Sequence, residues 1–303
     1  MKSRGLLLVL ALLALEAGAP SMGQQTPVRP RGPYLGQTPP GLVPETFAKD
    51  LIAAGDGAGC CGFARGGTVF LGQKFREGRC RTFIMRLGKD GWSAPELIPF
   101  WETMAQNGDF VISSDDKTML YQVRTDSGPR VISEIWRVEI TETGWGERSP
   151  FPAPVNGGDF ESYASDTSGG SLYFFSRRPG GQGRFDLYTS ELKDGAYAEP
   201  VSLAALNTAY DEWDPFIAPD GSYLIFCSTK PEGLGRDDLY IAFRQAGGEW
   251  GPAVNMGREV NSSGSENRPF VSRDGRYFFF TSTRNGRRDT FWVRAKYLER
   301  FKK

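Results

Sequence analysis

The chain has 303 residues with 36 basic and 36 acidic side chains, so its formal charge is zero and no global field draws it to nucleic acid or an anionic membrane. Histidine is absent, which excludes a Ser-His-Asp triad, a Cys-His pair, a His-ligated zinc and a His general base from this chain acting alone. An apolar share of 39% with 38 Gly is that of a globular protein, so disorder is excluded for most of the chain.

Lys2 and Arg4 precede the apolar run Leu6 to Leu15, and small residues follow through Ala17, Gly18, Ala19, Ser21 and Gly23. This is the three-part layout of a secretory signal peptide, expected over residues 1–23, with Gln24 as the new N-terminus. No later stretch approaches the roughly 18 apolar residues of a membrane span, so the mature chain is expected free in a periplasm or outside the cell, without membrane insertion. Residues 24–43, with five Pro and three Gly, read as an irregular lead-in.

From residue 44 onward three landmarks recur in phase. Acidic turn residues between apolar runs stand at Asp115, Asp166, Asp220 and Asp274, spaced 51, 54 and 54. An acid before an aliphatic or aromatic pair stands at Glu134, Asp186, Asp238 and Asp289, spaced 52, 52 and 51. An aromatic followed shortly by Pro recurs at Trp92, Trp145, Tyr197 and Trp250. Between them lie short runs rich in Phe, Tyr, Val and Ile bounded by Gly, Pro, Asp and Ser, which predict strands joined by hairpins, with Asp220-Gly221 and Asp274-Gly275 as turn dipeptides. Runs such as Tyr223 to Phe226 do not alternate, so both faces of that strand must be covered.

A four-stranded unit of about 52 residues, covered on both faces by its neighbours, predicts an all-β fold, a β-propeller. The last unit stops after its third strand, and Pro44-Glu45-Thr46-Phe47, similar to Pro95-Glu96-Leu97-Ile98, is predicted to supply the fourth and close the ring. Residues 44–303 number 260, five units of 52, so five blades are expected in a single domain, with six as the alternative.

The run Asp211-Glu212-Trp213-Asp214-Pro215-Phe216-Ile217-Ala218-Pro219-Asp220-Gly221, followed by Leu224-Ile225-Phe226 and Asp237-Asp238-Leu239-Tyr240, resembles the TolB-like WD-type β-propeller repeat of bacterial exported proteins. Glu266 to Gly275 repeats it; the earlier units match more loosely. The resemblance implies a fold more than an activity, since the repeat is an architectural unit in periplasmic scaffolds and in domains attached to peptidases.

In such a blade the D-to-A connection and the B-to-C turn emerge on one face. The B-to-C turns carry Lys74, Arg76, Arg79 and Arg81, then Arg124 and Arg130, Arg177, Arg178 and Arg184, Lys230 and Arg236, and Arg284, Arg287 and Arg288. The D-to-A side carries Asp109, Asp159, Glu161, Asp211, Glu212, Asp214 and Glu266. Features in every blade belong to the architecture; binding needs something present once. The features present once are Tyr210, Asp211, Glu212, Trp213 and Asp214 in unit four and the polar loop with Glu266 and Arg268 in unit five; together with the rim cations Arg177, Arg178, Lys230 and Arg284 they are the binding candidates. The expected partner is a protein or an envelope polymer, the expected state a monomer, and no cofactor is called for; calcium would have to use these acids without an EF-hand loop. The rival is a glycosidase or lyase using central carboxylates. Cys61, or Cys60, and Cys80 fall at ends of strands on this same face, so a disulfide to Cys80 is expected.

Overall fold

The computed structural model describes residues 29–52, 57–76, 79–101, 108–126, 131–158 and 160–302. Residues 1–23, expected to be a signal peptide, lie outside the described residues, as do Arg130 and Asp159. Five antiparallel sheets of four strands, A innermost to D outermost, form one ring. Blade one comprises Ala58–Ala64, Val69–Arg76, Arg79–Gly88 and Glu96–Leu97. Blade two comprises Phe110–Ile112, Thr118–Asp126, Val131–Ile140 and Trp145–Pro150. Blade three comprises Glu161–Asp166, Leu172–Ser176, Asp186–Ser190 and Val201–Ser202. Blade four comprises Glu212–Ile217, Tyr223–Ser228, Asp238–Phe243 and Val254–Asn255. Blade five has Glu266–Val271, Tyr277–Ser282 and Asp289–Arg294, and its D strand is Glu45–Thr46 from the N-terminal side of the ring. Glu45 pairs with Trp292 and Thr46 with Phe291, as the sequence predicts.

The absence of alternation in the B strands now has its cause. Phe226, Phe278, Phe279 and Phe280 are at most 1% exposed because each sheet is sandwiched between two others; each such side chain contributes about 1.5–3 kcal/mol of burial. Phe47 locks the closing strand, its ring meeting Phe63, Phe70, Phe279 and Trp292. The lead-in docks on the same seam: Trp92 Nε1 donates to Gly32 O, Leu35 is buried, and Arg294 Nε donates to Pro40 O.

The periodic acids are structural. Asp115, Asp220 and Asp274 accept backbone N–H groups of their own A-to-B turns. Asp166 instead reaches the neighbouring blade, accepting from Ser113 Oγ at 2.7 Å and Ser114 N at 2.8 Å. Asp186 and Asp238 shape the B-to-C loops by accepting from Gln182 N and from Leu234 N and Gly235 N. Gly183 and Gly235 let these loops touch the next D-to-A connection: a Cβ there would lie 1.9 Å from Tyr210 O and 2.2 Å from Gly264 O.

The expected disulfide is corrected. Cys60, Cys61, Cys80 and Cys227 are all free and buried. Cys61 on strand A stands opposite Gly72 of strand B, whereas Cys80 on strand C stands opposite Phe75. The two are thus separated by a whole strand, about 9–10 Å laterally, and by three residues along it, about 10 Å, whereas a bridge needs Cα atoms within about 7 Å. Position on the same face did not bring the pair together.

Candidate functional site

Four of the A strands shift register against strand B: that of blade one between Ala58 and Cys61, and those of blades three, four and five by a bulge between Ser162 and Ser165, Trp213 and Phe216, and Asn267 and Phe270. Within each bulge one non-glycine residue has positive φ: Tyr163 at 44°, Asp214 at 51° and Arg268 at 53°. Such backbone is costly for these residues, and here it places the three at the axis. Arg268 meets Asp109 of blade two in a two-pronged ion pair, Nε to Oδ1 at 2.8 Å and Nη2 to Oδ2 at 3.3 Å. Its backbone N–H donates to Asp214 Oδ2 at 3.2 Å. Cys60 Sγ donates to Asp109 Oδ1 at 3.5 Å, and Tyr163 Oη donates to Pro269 O at 3.2 Å. Five residues, one from each blade, thus share the channel. A second tie lies toward the A-to-B end, where Arg273 of blade five donates from Nη2 to Ile112 O of blade two.

The two axial carboxyls are driven apart. Burial alone would lift Asp109, but the charge and hydrogen bonds of Arg268, with Arg124 behind it, outweigh burial and hold it below the usual range. Asp214 is pushed up to about 7 by burial and then by the charge of Asp109, against the opposing charge and N–H of Arg268. Burial pushes the Cys60 thiol well up, so it stays protonated and is no nucleophile.

Five of the eleven expected binding residues, Arg178, Glu212, Lys230, Glu266 and Arg284, occupy a repeated staple. Glu161, Glu212 and Glu266, each at most 1% exposed, accept from Ser176, Ser228 and Ser282 at 2.8, 2.8 and 2.5 Å. Arg178 pairs with Glu161 at 3.2 Å and Arg284 with Glu266 at 3.9 Å, while Lys230 supplies its charge to Glu212. Each cation also lies over rings of its own blade: Arg178 over Phe174 and Tyr188, Lys230 over Tyr240, Arg284 over Phe280 and Phe291. The staple thus fastens strand A to strand B from beneath the loops.

The rest of the set stands nearer the surface. Tyr210 is 45% exposed. Half-buried Trp213 packs on Phe185, and Asp211 accepts from Phe185 N at 3.2 Å. Arg177 lies over Phe160 and Phe185, Arg184 over Phe185, and Arg124 over Phe160. Among the described residues, the Nε atoms of Arg124 and Arg177 are buried without a hydrogen-bond partner. Arg236 pairs with Asp237 at 3.1 Å while remaining 76% exposed. The structure therefore brings Asp214 and Arg268 together, and adds Asp109, Cys60 and Tyr163, which the choice of binding candidates missed. Aligning the units on the A-to-B turn residues Asp116, Gly170, Gly221 and Gly275 puts Asp109, Tyr163, Asp214 and Arg268 in one column, each seven residues earlier, and that was the available signal.

Among the described residues no cluster of three or more His, Cys, Asp or Glu side chains could hold a metal ion. No helix among them is long and apolar enough to cross a membrane.

No protein-family profile and no curated sequence matches this chain. Solved structures do. The endo-arabinase of Bacteroides thetaiotaomicron superposes with TM-score 0.50 at 14% identity over 77% of this chain and 92% of that one. The Bacteroides ovatus xyloglucan-locus protein GH43B gives 0.50 at 15% identity over 82% of this chain and 54% of that one. TolB from Acinetobacter baumannii gives 0.47 at 16% identity over 78% of this chain, which spans 54% of that protein. At these identities the likeness is one of fold: the chain is a five-bladed β-propeller whose structural neighbours include TolB and glycosidase-like propellers.

Proposed function

We propose that this chain is an exported, non-enzymatic binding or scaffold protein, a monomer that uses its D-to-A and B-to-C loop face to hold a protein or an envelope polymer. The observation that supports this reading is how charge is divided on that face. The recurring acids and their cations are buried against one another, while Arg184, Arg236 and Tyr210 are exposed on the loop face with half-buried Trp213 beside them. Arginine and aromatic side chains are the residues that carry most interface energy, and guanidinium groups suit carboxylates of a protein or an acidic glycan. The basic and apolar N-terminal segment supports export to the periplasm or beyond.

A second reading, a glycosidase or lyase, is favoured by one observation. Asp109 is held ionised and Asp214 is raised toward neutrality, the split that a general acid and its partner carboxylate require. Against it, Arg268 already occupies both carboxyls.

Affinity capture from envelope extract decides between them. Arg184→Glu with Arg236→Glu and Tyr210→Ala is expected to abolish capture of a specific partner while leaving the fold intact. Turnover on a polysaccharide panel that is lost in Asp214→Asn, with capture unaffected by the rim changes, would replace the first reading by the second.

A further inference from the structure

A groove lies on the opposite side of the ring from the loop face, between the A-to-B turns of blades four and five and the C-terminal 3-10 segment Ala295–Phe301. Its volume is about 700 Å³, within the range of small-molecule sites. Tyr223, Phe243, Tyr277, Val271 and Leu298 form its apolar wall, the rings of Tyr223 and Phe243 being 6.0 Å apart.

The charge around this wall is one-sided. Arg244, Arg276, Arg294, Lys296 and Lys302 line the groove, and Glu299 is the acid among its lining residues. The hydrogen bonds of Arg244 go to neutral acceptors, Gly221 O, Gly248 O and Tyr173 Oη, so its charge is held in place without being cancelled by them. Arg294 likewise donates to Pro40 O. Arg276 is shared with Asp274 at 3.5 Å and is 69% exposed. Lys296 and Lys302 are exposed at the rim.

A concave apolar wall beneath a cationic rim selects a ligand with an apolar body and one anionic head. We infer that this groove binds a small amphipathic anion, an organic carboxylate or sulfonate, whose body lies on Tyr223, Phe243 and Tyr277 and whose head meets Lys296, Lys302 and Arg294. Neutral analogues lose the head contact, and hydrophilic anions lose the wall. The site stands independently of the loop-face reading, since the two share no residue.

The test uses the mature chain and two fluorescent probes of similar shape, anionic anilinonaphthalenesulfonate and neutral N-phenylnaphthylamine. The anion is expected to bind saturably with one-site stoichiometry, at least about tenfold more tightly than the neutral probe. Lys296→Glu with Lys302→Glu is expected to weaken the anion about tenfold or more, with unchanged circular dichroism and unchanged affinity for the neutral probe. Arg184→Glu with Arg236→Glu, on the far face, is expected to leave binding alone. Equal binding of both probes, no saturable binding, or equal weakening by the far-face pair would each overturn the assignment.

Discussion

Replacing Asp214 by Asn is expected to stabilise the protein in mild alkali and to do little in mild acid. In the folded chain burial and the charge of Asp109 raise this carboxyl to about 7, whereas an unfolded chain titrates it near ~3.9. Between those values the native state holds the extra proton, so stability falls as pH rises through the window and the whole cost is present above it. That interval corresponds to about 4 kcal/mol at ~1.4 kcal/mol per pH unit. Asp214 is 7% exposed, so solvent screening removes little of it, and the figure is an upper bound. Asn keeps an acceptor for the Arg268 N–H and removes the charge, so the variant should gain on the order of 2–4 kcal/mol at about pH 8 and under about 1 kcal/mol at about pH 4. Urea unfolding of both proteins across that range measures the difference, in which the other titrating groups cancel. A gain that is independent of pH, or larger in acid, would refute the account of the axial cluster.

Glu212→Ala leaves the donors Thr208 N, Thr208 Oγ1 and Ser228 Oγ without their shared acceptor, and is expected to cost about 3–5 kcal/mol in denaturant unfolding; a loss under about 1 kcal/mol would remove the staple from the architecture. Phe47→Ala empties a fully buried place on the closing strand and is expected to cost about 3–5 kcal/mol, read as a fall in the urea midpoint; no change would mean that the ring does not depend on this seam. Thiol titration with Ellman's reagent is expected to find four reactive cysteines in urea and almost none in the native protein, and a total of two would restore the disulfide.

The ring itself was legible because each blade repeats the same demands. Aspartates at fixed phase mark turns that need Asx capping, and unbroken apolar B strands mark sheets covered on both sides. The borrowed D strand was legible from the likeness of Pro44-Glu45-Thr46-Phe47 to Pro95-Glu96-Leu97-Ile98. The axial cluster was harder to read because it depends on register. The bulges at Tyr163, Asp214 and Arg268 shift pairing with strand B, and composition around them gives no sign of which side chain then faces the axis. Register also defeated the cysteine pairing, where a three-residue offset across strand B outweighed a shared face. Glu212 and Glu266 drew notice as acids near a channel, but the Ser residues that claim them lie on the adjacent strand, 16 residues later in each case.

In a simple circular array each vane would lean only on the two beside it, and opening one seam would let the hoop unroll from that point. Here Arg268 and Arg273 join vane five to vane two, and Tyr163 joins vane three to vane five, so these contacts run like spokes between members that are not adjacent. Peeling the N-terminal edge away from Trp292 therefore does not release the last vane, which stays tethered through the hub. The molecule should give way as one body in a single transition, without fraying progressively from the splice where its two ends meet.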